Sequence, residues 1–334
     1  MDNNWNLLGH EWAVDLLKEQ IRRDSIRQAY LISGPPGVGR RTLALRFTQA
    51  INCPNPIAPG MPCGKCKTCQ QIEKMQYPDL DVIQTEMEHK EVVVEQVRNA
   101  LHRLPLTPYQ GKYRVSLFLR FQETNRSSAN ALLKNLEEAP PHVVMILTAD
   151  SIEPLLPTIV SRCEVLRLRP LPVERVESFL KASGADTGKA HLLAHISGGR
   201  PGYAMRLLKD QGALDFRKKQ LDDMQTQLKS PVWKRFAYAQ ALTDRRKRNM
   251  DEHFRETLLI WLSFWRDVLM QVSRSEAPLT NVDRAGEIQA WASRLSLPEA
   301  LTLVRDAEGA FDKLEHNANA RLLTEVLFLD WPHV

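Results

Sequence analysis

The stretch Ala29-Tyr30-Leu31-Ile32-Ser33-Gly34-Pro35-Pro36-Gly37-Val38-Gly39-Arg40-Arg41-Thr42 decides the fold. Five residues of apolar run lead into a Gly/Pro cluster, and the order strand, loop, helix is its natural reading. Gly34, Gly37 and Gly39 have the spacing of a Walker A phosphate loop, whose backbone N–H groups cradle phosphates at a helix N-terminus. The two positions that follow should be a Lys, to reach the terminal phosphates, and a Ser or Thr, to ligate magnesium. Here they are Arg40 and Arg41. Arginine keeps the charge but replaces a compact ammonium by a planar fork, and Arg41 has no metal-binding hydroxyl. Thr42 comes one residue too late. The expectation is a loop kept for its backbone geometry, with ATP binding doubtful and Gly34, Gly37, Gly39, Arg40 and Thr42 as the residues nearest any phosphate.

Working outward, short apolar runs recur at Leu80 to Ile83, Val115 to Leu119 and Val143 to Leu147, with helical patterns between them at Val94 to Leu104 and Ser127 to Glu138. This alternation predicts a parallel sheet flanked by helices. A magnesium site also needs an acid directly after the Val115 to Leu119 run. Arg120 stands there, and Glu123, three residues on, is expected to face elsewhere. Past Arg169 strand-like runs stop, and Pro170 and Pro172 mark a junction to a small helical segment that ends near Gly198-Gly199-Arg200-Pro201-Gly202. From about Leu208 onward the pattern is helical. Phe254, Leu258, Trp261, Trp265, Val268 and Leu269 recur at spacings of three and four, as do Leu322, Leu323, Val326 and Leu327, and both stripes are expected to face a core. The predicted organisation is an α/β core over 1–169, a helical lid over 170–208 and an all-helical domain over 209–334.

Four of the five cysteines fall in one window, Cys53, Cys63, Cys66 and Cys69, with Gly64 placed for a tight turn. Clustered thiols in a reducing compartment read as metal ligands before disulfides. Four thiolates make a closed tetrahedral structural zinc site with no position open to water, which disfavours a catalytic metal. A disulfide pair or an iron–sulfur cluster is the alternative, without a redox motif nearby to support it. Cys163 stands alone and is expected to serve packing.

A chain of 334 residues, 43% hydrophobic and 25% charged, is long enough for two or three domains with real cores. It has no long apolar run, and its first residues lack the order of a secretory signal, so a cytoplasmic location without membrane insertion is expected. A net charge of +5 over this length is compatible with a nucleic-acid-associated assembly without requiring one. Arg245-Arg246-Lys247-Arg248 reads as a solvated loop, or as a phosphate contact.

The run from Ala129 to Pro140 (ANALLKNLEEAP) resembles a signature of the AAA+ clamp-loader subunits of bacterial DNA polymerase III, and Leu156 to Cys163 (LPTIVSRC) is similar to a second. Gly9-His10-Glu11, Tyr77-Pro78-Asp79-Leu80 and Asn319 to Glu325 extend the likeness along nearly the whole chain. The resemblance implies an AAA+ P-loop core, a small helical lid and a helical collar domain that assembles with related subunits. Within the family, gamma/tau subunits are the ATP-hydrolysing motors. Arg40, Arg41, Arg120 and the Gly198 to Ala204 turn look instead like the delta-prime branch, implying a stator without ATPase activity. Its implied partners are delta and gamma/tau subunits in a hetero-oligomer and, through that complex, the beta sliding clamp and primed DNA. The resemblance also implies a zinc module after the loop helix, a sensor-1 position at Thr148, whose alternative is to cap a strand end, and an arginine finger at Arg162 acting in trans. A residual gamma/tau-type ATPase and a stand-alone zinc- and DNA-binding adaptor are the other readings.

Overall fold

The computed structural model describes residues 4–85, 94–244, 250–315 and 318–332. The basic run Arg245 to Arg248 lies outside them. The chain divides into two compact units, Met1–Pro172 with Gly199–Tyr203, and Val173–Gly198 with Ala204–Val334.

The first unit comprises α1 (Glu11–Arg22), β1 (Ala29–Ser33), α2 (Arg40–Asn52), α3 (Lys67–Glu73), β2 (Leu80–Ile83), α4 (Val94–Arg103), β3 (Arg114–Phe118), α5 (Arg126–Glu137), β4 (Val143–Ala149), the single turn α6 (Pro157–Val160) and β5 (Glu164–Arg167). The strands form one parallel sheet in the order β2-β3-β4-β1-β5. Every residue of β1, β3 and β4 is buried, as expected where a parallel strand is covered on both faces. Because successive side chains alternate, Tyr30 and Ile32 pack with Leu17, Leu43 and Phe47 on one face, while Leu31 packs with Val97, Leu132 and Leu136 on the other. The result is an α/β sandwich with β1 between β4 and β5, so that the loop after β1 opens beside the end of β4.

Two expectations need adjustment. The third strand begins and ends one residue earlier than the apolar run suggested, because Arg114 is buried in it and its guanidinium reaches Asp79 (3.5 Å) and Asp81 (3.6 Å). The sheet also has an edge strand, β5, whose residues alternate too weakly to stand out.

The second unit is helical: α7 (Val173–Ala182), α8 (Thr187–Ile196), α9 (Pro201–Lys209, whose first residues belong to the first unit), α10 (Gln211–Leu228), α11 (Val232–Leu242), α12 (Met250–Val272), α13 (Ala285–Ala292), α14 (Leu297–Glu315) and α15 (Ala320–Asp330). The α12 stripe is core, as expected: Phe254, Leu258, Trp261, Trp265 and Val268 are buried, and Leu269 packs against them. The α15 stripe is only half so. Leu327 is buried, but Leu322 and Val326 are 58% and 53% exposed and align with exposed Leu329 on the outer face. Periodicity reports that a face is apolar, not whether this chain covers it. Arg235 is buried, and among the described residues no carboxylate pairs with it. Its guanidinium donates to the carbonyls of Leu228, Phe328 and Trp331, at the ends of α10 and α15 where backbone acceptors lack helical partners. Among the described residues no helix is long and apolar enough to cross a membrane.

Candidate functional site

The glycine loop joins the C-terminal end of β1 to α2. Gly34 N–H donates to the carbonyl of Ala149 (3.1 Å), which ties the loop's entrance to the end of β4. Gly34 and Gly37 both have positive φ, and a Cβ at Gly34 would run into the Leu168 carbonyl, so glycine is required there. Gly39 caps α2 in a left-handed conformation and has no side chain of its own to accept from the first N–H groups of the helix. The Gly199–Tyr203 turn packs on the loop's middle, where Gly202 N–H donates to the Gly37 carbonyl (2.8 Å).

Arg40, the first residue of α2, does not extend into solvent. It is nine-tenths buried, and its Nη2 lies 2.6 Å from Oδ1 of Asp150, the residue after β4. Nothing in the sequence pattern singles out Asp150. Its place follows from the β1/β4 register, which pairs Ser33 with Ala149. Arg41 and Thr42 are exposed.

At the exit of β3, Arg120 adopts a left-handed backbone conformation (φ 56°), uncommon for a residue with a side chain. Its N–H donates to Thr148 Oγ1 (3.0 Å), and that hydroxyl donates in turn to the Phe118 carbonyl (3.3 Å). Thr148 thus ties two strand ends together, the capping alternative weighed for it. The Arg120 guanidinium pairs with Glu123, whose other oxygen accepts from the Thr85 hydroxyl (2.6 Å). Glu123, three residues beyond the position where a magnesium site needs its acid, is therefore occupied by Arg120 and Thr85.

The opposite end of α2 carries the cysteines. Cys53 follows the last residue of α2, Cys63 follows a loop, Gly64 turns with φ 68°, Cys66 caps α3 and Cys69 lies in its first turn. All four Sγ atoms lie within 4.8 Å of one another, with Cys53 3.6 Å from Cys63 and 3.9 Å from Cys66. Thiolates about 2.3 Å from a tetrahedral zinc would be about 3.8 Å apart, so the arrangement fits that ion closely. Backbone N–H groups of Cys63, Cys66 and Cys69 point at the sulfurs of Cys53, Cys63 and Cys66. Such bonds favour thiolate. Those from Lys65 and Cys66 hold Cys63 down at about 6, whereas burial pushes Cys53 and Cys69 up until a cation balances their charge. The loop between Cys53 and Cys63 is anchored by Trp5 Nε1, which donates to the Gly60 carbonyl (2.8 Å).

Arg162 follows α6 at the rim of the sheet. Its Nε donates to Glu137 Oε1 (2.6 Å), and its Nη1 to the Thr158 carbonyl (2.9 Å). It lines an open cleft of about 420 Å³ with Arg27, Gln28, Leu136 and Cys163. The Arg162 side chain is a third exposed. Cys163 packs against the core beneath, its thiol pushed up to about 12 by burial, which suits a packing role.

The profile of a family described as "DNA polymerase III, delta subunit" matches residues 9–172. The chain is 34% identical over 227 residues to the DNA polymerase III subunit delta' of Pseudomonas aeruginosa, covering 67% of this chain and 68% of that one. It is also 34% identical over 176 residues to the DNA polymerase III subunit tau of Escherichia coli, covering 53% of this chain but 27% of that much longer one. A crystal structure of a DNA polymerase III gamma subunit-related protein from Thermotoga maritima aligns over 95% of this chain and 97% of its own, at 14% identity and a TM-score of 0.38.

Proposed function

The chain belongs to the delta-prime family of DNA polymerase III clamp-loader subunits, and we propose that it acts there as a stator that does not itself hydrolyse ATP. In this reading its AAA+ core, lid (170–208) and collar (209–334) place it in a cytoplasmic hetero-oligomer with delta and gamma/tau subunits. That complex loads the beta sliding clamp onto primed DNA during replication.

The observation that carries the reading is that both magnesium-holding positions are filled by arginines, Arg41 at the loop and Arg120 at the end of β3. Magnesium and the loop lysine neutralise the charge that develops on the transferred phosphoryl group. A guanidinium offers only N–H donors and has no coordination sphere in which to hold phosphate oxygens and water together as magnesium does. Arg120 also occupies Glu123, the next carboxylate along the chain.

Two further roles complete the proposal. Cys53, Cys63, Cys66 and Cys69 hold a structural zinc ion, which supplies charge compensation and cross-links the end of α2 to α3 without an open coordination position. Arg162 acts in trans: a neighbouring ATPase's nucleotide draws its guanidinium from Glu137, and its positive charge stabilises phosphoryl transfer there. The exchange is plausible energetically because an exposed ion pair is worth only about 0–1 kcal/mol.

The test is to purify the chain, assay Mg²⁺-dependent ATP turnover with and without primed DNA, and mix it with delta and gamma/tau proteins. Turnover at the level of a buffer blank, with one defined complex by native mass spectrometry, is the expected result. Mg²⁺-dependent turnover lost in Arg40→Ala would establish a motor instead, and a chain that binds DNA but none of its relatives would establish an adaptor.

A further inference from the structure

In the glycine loop, Gly39 has no side chain with which to cap the first N–H groups of α2, and Arg40, the first residue of that helix, is nine-tenths buried. A buried cation at a helix N-terminus is electrostatically awkward, since the helix end is itself positive. It persists only with an anion beside it. In a working phosphate loop that anion is the nucleotide. Here it is the Asp150 carboxylate, 2.6 Å from Nη2 of Arg40 and placed beside the loop by the Ser33/Ala149 register and the Gly34 N–H to Ala149 bond.

We propose that Arg40 and Asp150 form an internal latch, in which Asp150 substitutes for the nucleotide's phosphates and closes the loop to them. The latch deepens the non-hydrolysing reading and rests on it: Arg41 and Arg120 remove hydrolysis, whereas the Arg40–Asp150 pair removes binding. A phosphate entering the loop meets a guanidinium already neutralised and a carboxylate that repels it. Arg40 Nη1 is buried without a hydrogen-bond partner, so the guanidinium keeps a donor that an anion can take up when Asp150 is replaced by a neutral residue. The latch also separates this loop from one that is merely missing a lysine. A lysine-less loop should stay weak whatever is done to Asp150, but a latched loop should recover anion binding when Asp150 alone is changed.

The experiment uses the full chain and two probes, inorganic tripolyphosphate and ATP, both without magnesium, read by calorimetric titration and by the shift in melting temperature. Asp150→Asn keeps the side chain's size and removes its charge. The variant should bind tripolyphosphate about 10–100-fold more tightly than the unmodified chain, the worth of one charge-assisted hydrogen bond set free. Its melting temperature should rise with the probe while that of the unmodified chain does not. Arg40→Ala combined with Asp150→Asn should lose the gain. Asp150→Ser, read by the same criteria, serves if Asp150→Asn does not fold. The latch is overturned if the single variant binds no more tightly than the unmodified chain, or if the double variant keeps the gain. Failure of the non-hydrolysing reading registers separately, as Mg²⁺-dependent ATP turnover by the unmodified chain.

Discussion

Replacing Cys69 by serine isolates the metal's contribution from that of packing. Cys69 has no exposed surface, yet its peptide carbonyl is independently held by Gln49 Nε2 (2.8 Å), and Ile72 one turn later is buried against α2's side of the sheet. The start of α3 therefore stays in place when the sulfur goes. A serine hydroxyl does not ionise near neutral pH, so three thiolates would remain of the four proposed to hold zinc. Loss of an outer-shell partner already lowers metal affinity about 10–100-fold. Loss of a ligand should exceed that and reach about 1000-fold, or ~4 kcal/mol. The structural consequence should stay local, because Trp5 holds the intervening loop at Gly60 and the Met61 N–H donates to the Ala58 carbonyl (2.7 Å) with or without metal. Competition for zinc with a chromophoric chelator gives the affinity, and hydrogen exchange over residues 53–70 gives the extent of loosening. The unmodified chain should hold about one zinc. Affinity should fall as pH is lowered, because Cys53 and Cys69, raised by burial, must lose protons to bind. Affinity in Cys69→Ser within tenfold of the unmodified chain would refute the four-sulfur site, as would failure of the unmodified chain to take up zinc.

Three other outcomes follow from the packing. Asp79 is buried, and although desolvation opposes its charge, the N–H groups of Tyr109, Gln110 and Gly111 and the Arg114 guanidinium hold its pKa below the ordinary carboxylate value of 3.8. Its contribution is present above that value and lost as pH falls through the lower folded one. Asp79→Asn should therefore cost about 1–3 kcal/mol at neutral pH, read by urea unfolding, with the difference shrinking in strong acid. Arg235→Met leaves three buried carbonyls without their donor and should cost about 3 kcal/mol or more, seen as a lower urea midpoint of the second unit. Val326→Asp alters an exposed apolar position of α15 and should leave the isolated chain's stability within about 0.5 kcal/mol while weakening assembly with gamma/tau proteins, measured by analytical ultracentrifugation.

Local signals carried much of this into the sequence. Ala29 to Ser33 is a strand and Arg40 starts a helix because an apolar run and a glycine cluster constrain the backbone whatever lies around them. The four cysteines were legible for the same reason, their spacing being a property of one short segment. Long-range pairing was not legible. Asp150 meets Arg40 only because β1 and β4, more than a hundred residues apart, run side by side in one particular register. Glu137 meets Arg162 across a much shorter gap of 25 residues, but likewise through the fold and not through local spacing. The β5 strand has no clear sequence pattern because Glu164 and Arg167 sit on a sheet edge, where polar residues are tolerated and the alternation is blurred. On α15, Leu322 and Val326 have core-like spacing, yet they face outward.

The most direct test of the proposed role is ATP hydrolysis by the clamp-loader complex assembled with Arg162→Ala in place of the unmodified chain, normalised to complex confirmed intact by native mass spectrometry. Arg162 lies on the exposed rim and anchors no core residue, so the variant should fold and assemble. Arginine fingers supplied in trans are worth about 10³–10⁵ in rate at the single site they serve. With other ATPase sites still active, the DNA-stimulated steady-state rate should fall by the share of one site, and single-turnover hydrolysis at the neighbouring site should drop by at least about 10²-fold. Arg162→Lys should restore little, because an ammonium lacks the planar fork. Hydrolysis at the unmodified rate by an intact Arg162→Ala complex would contradict a trans-acting role and leave Arg162 as a surface residue paired with Glu137.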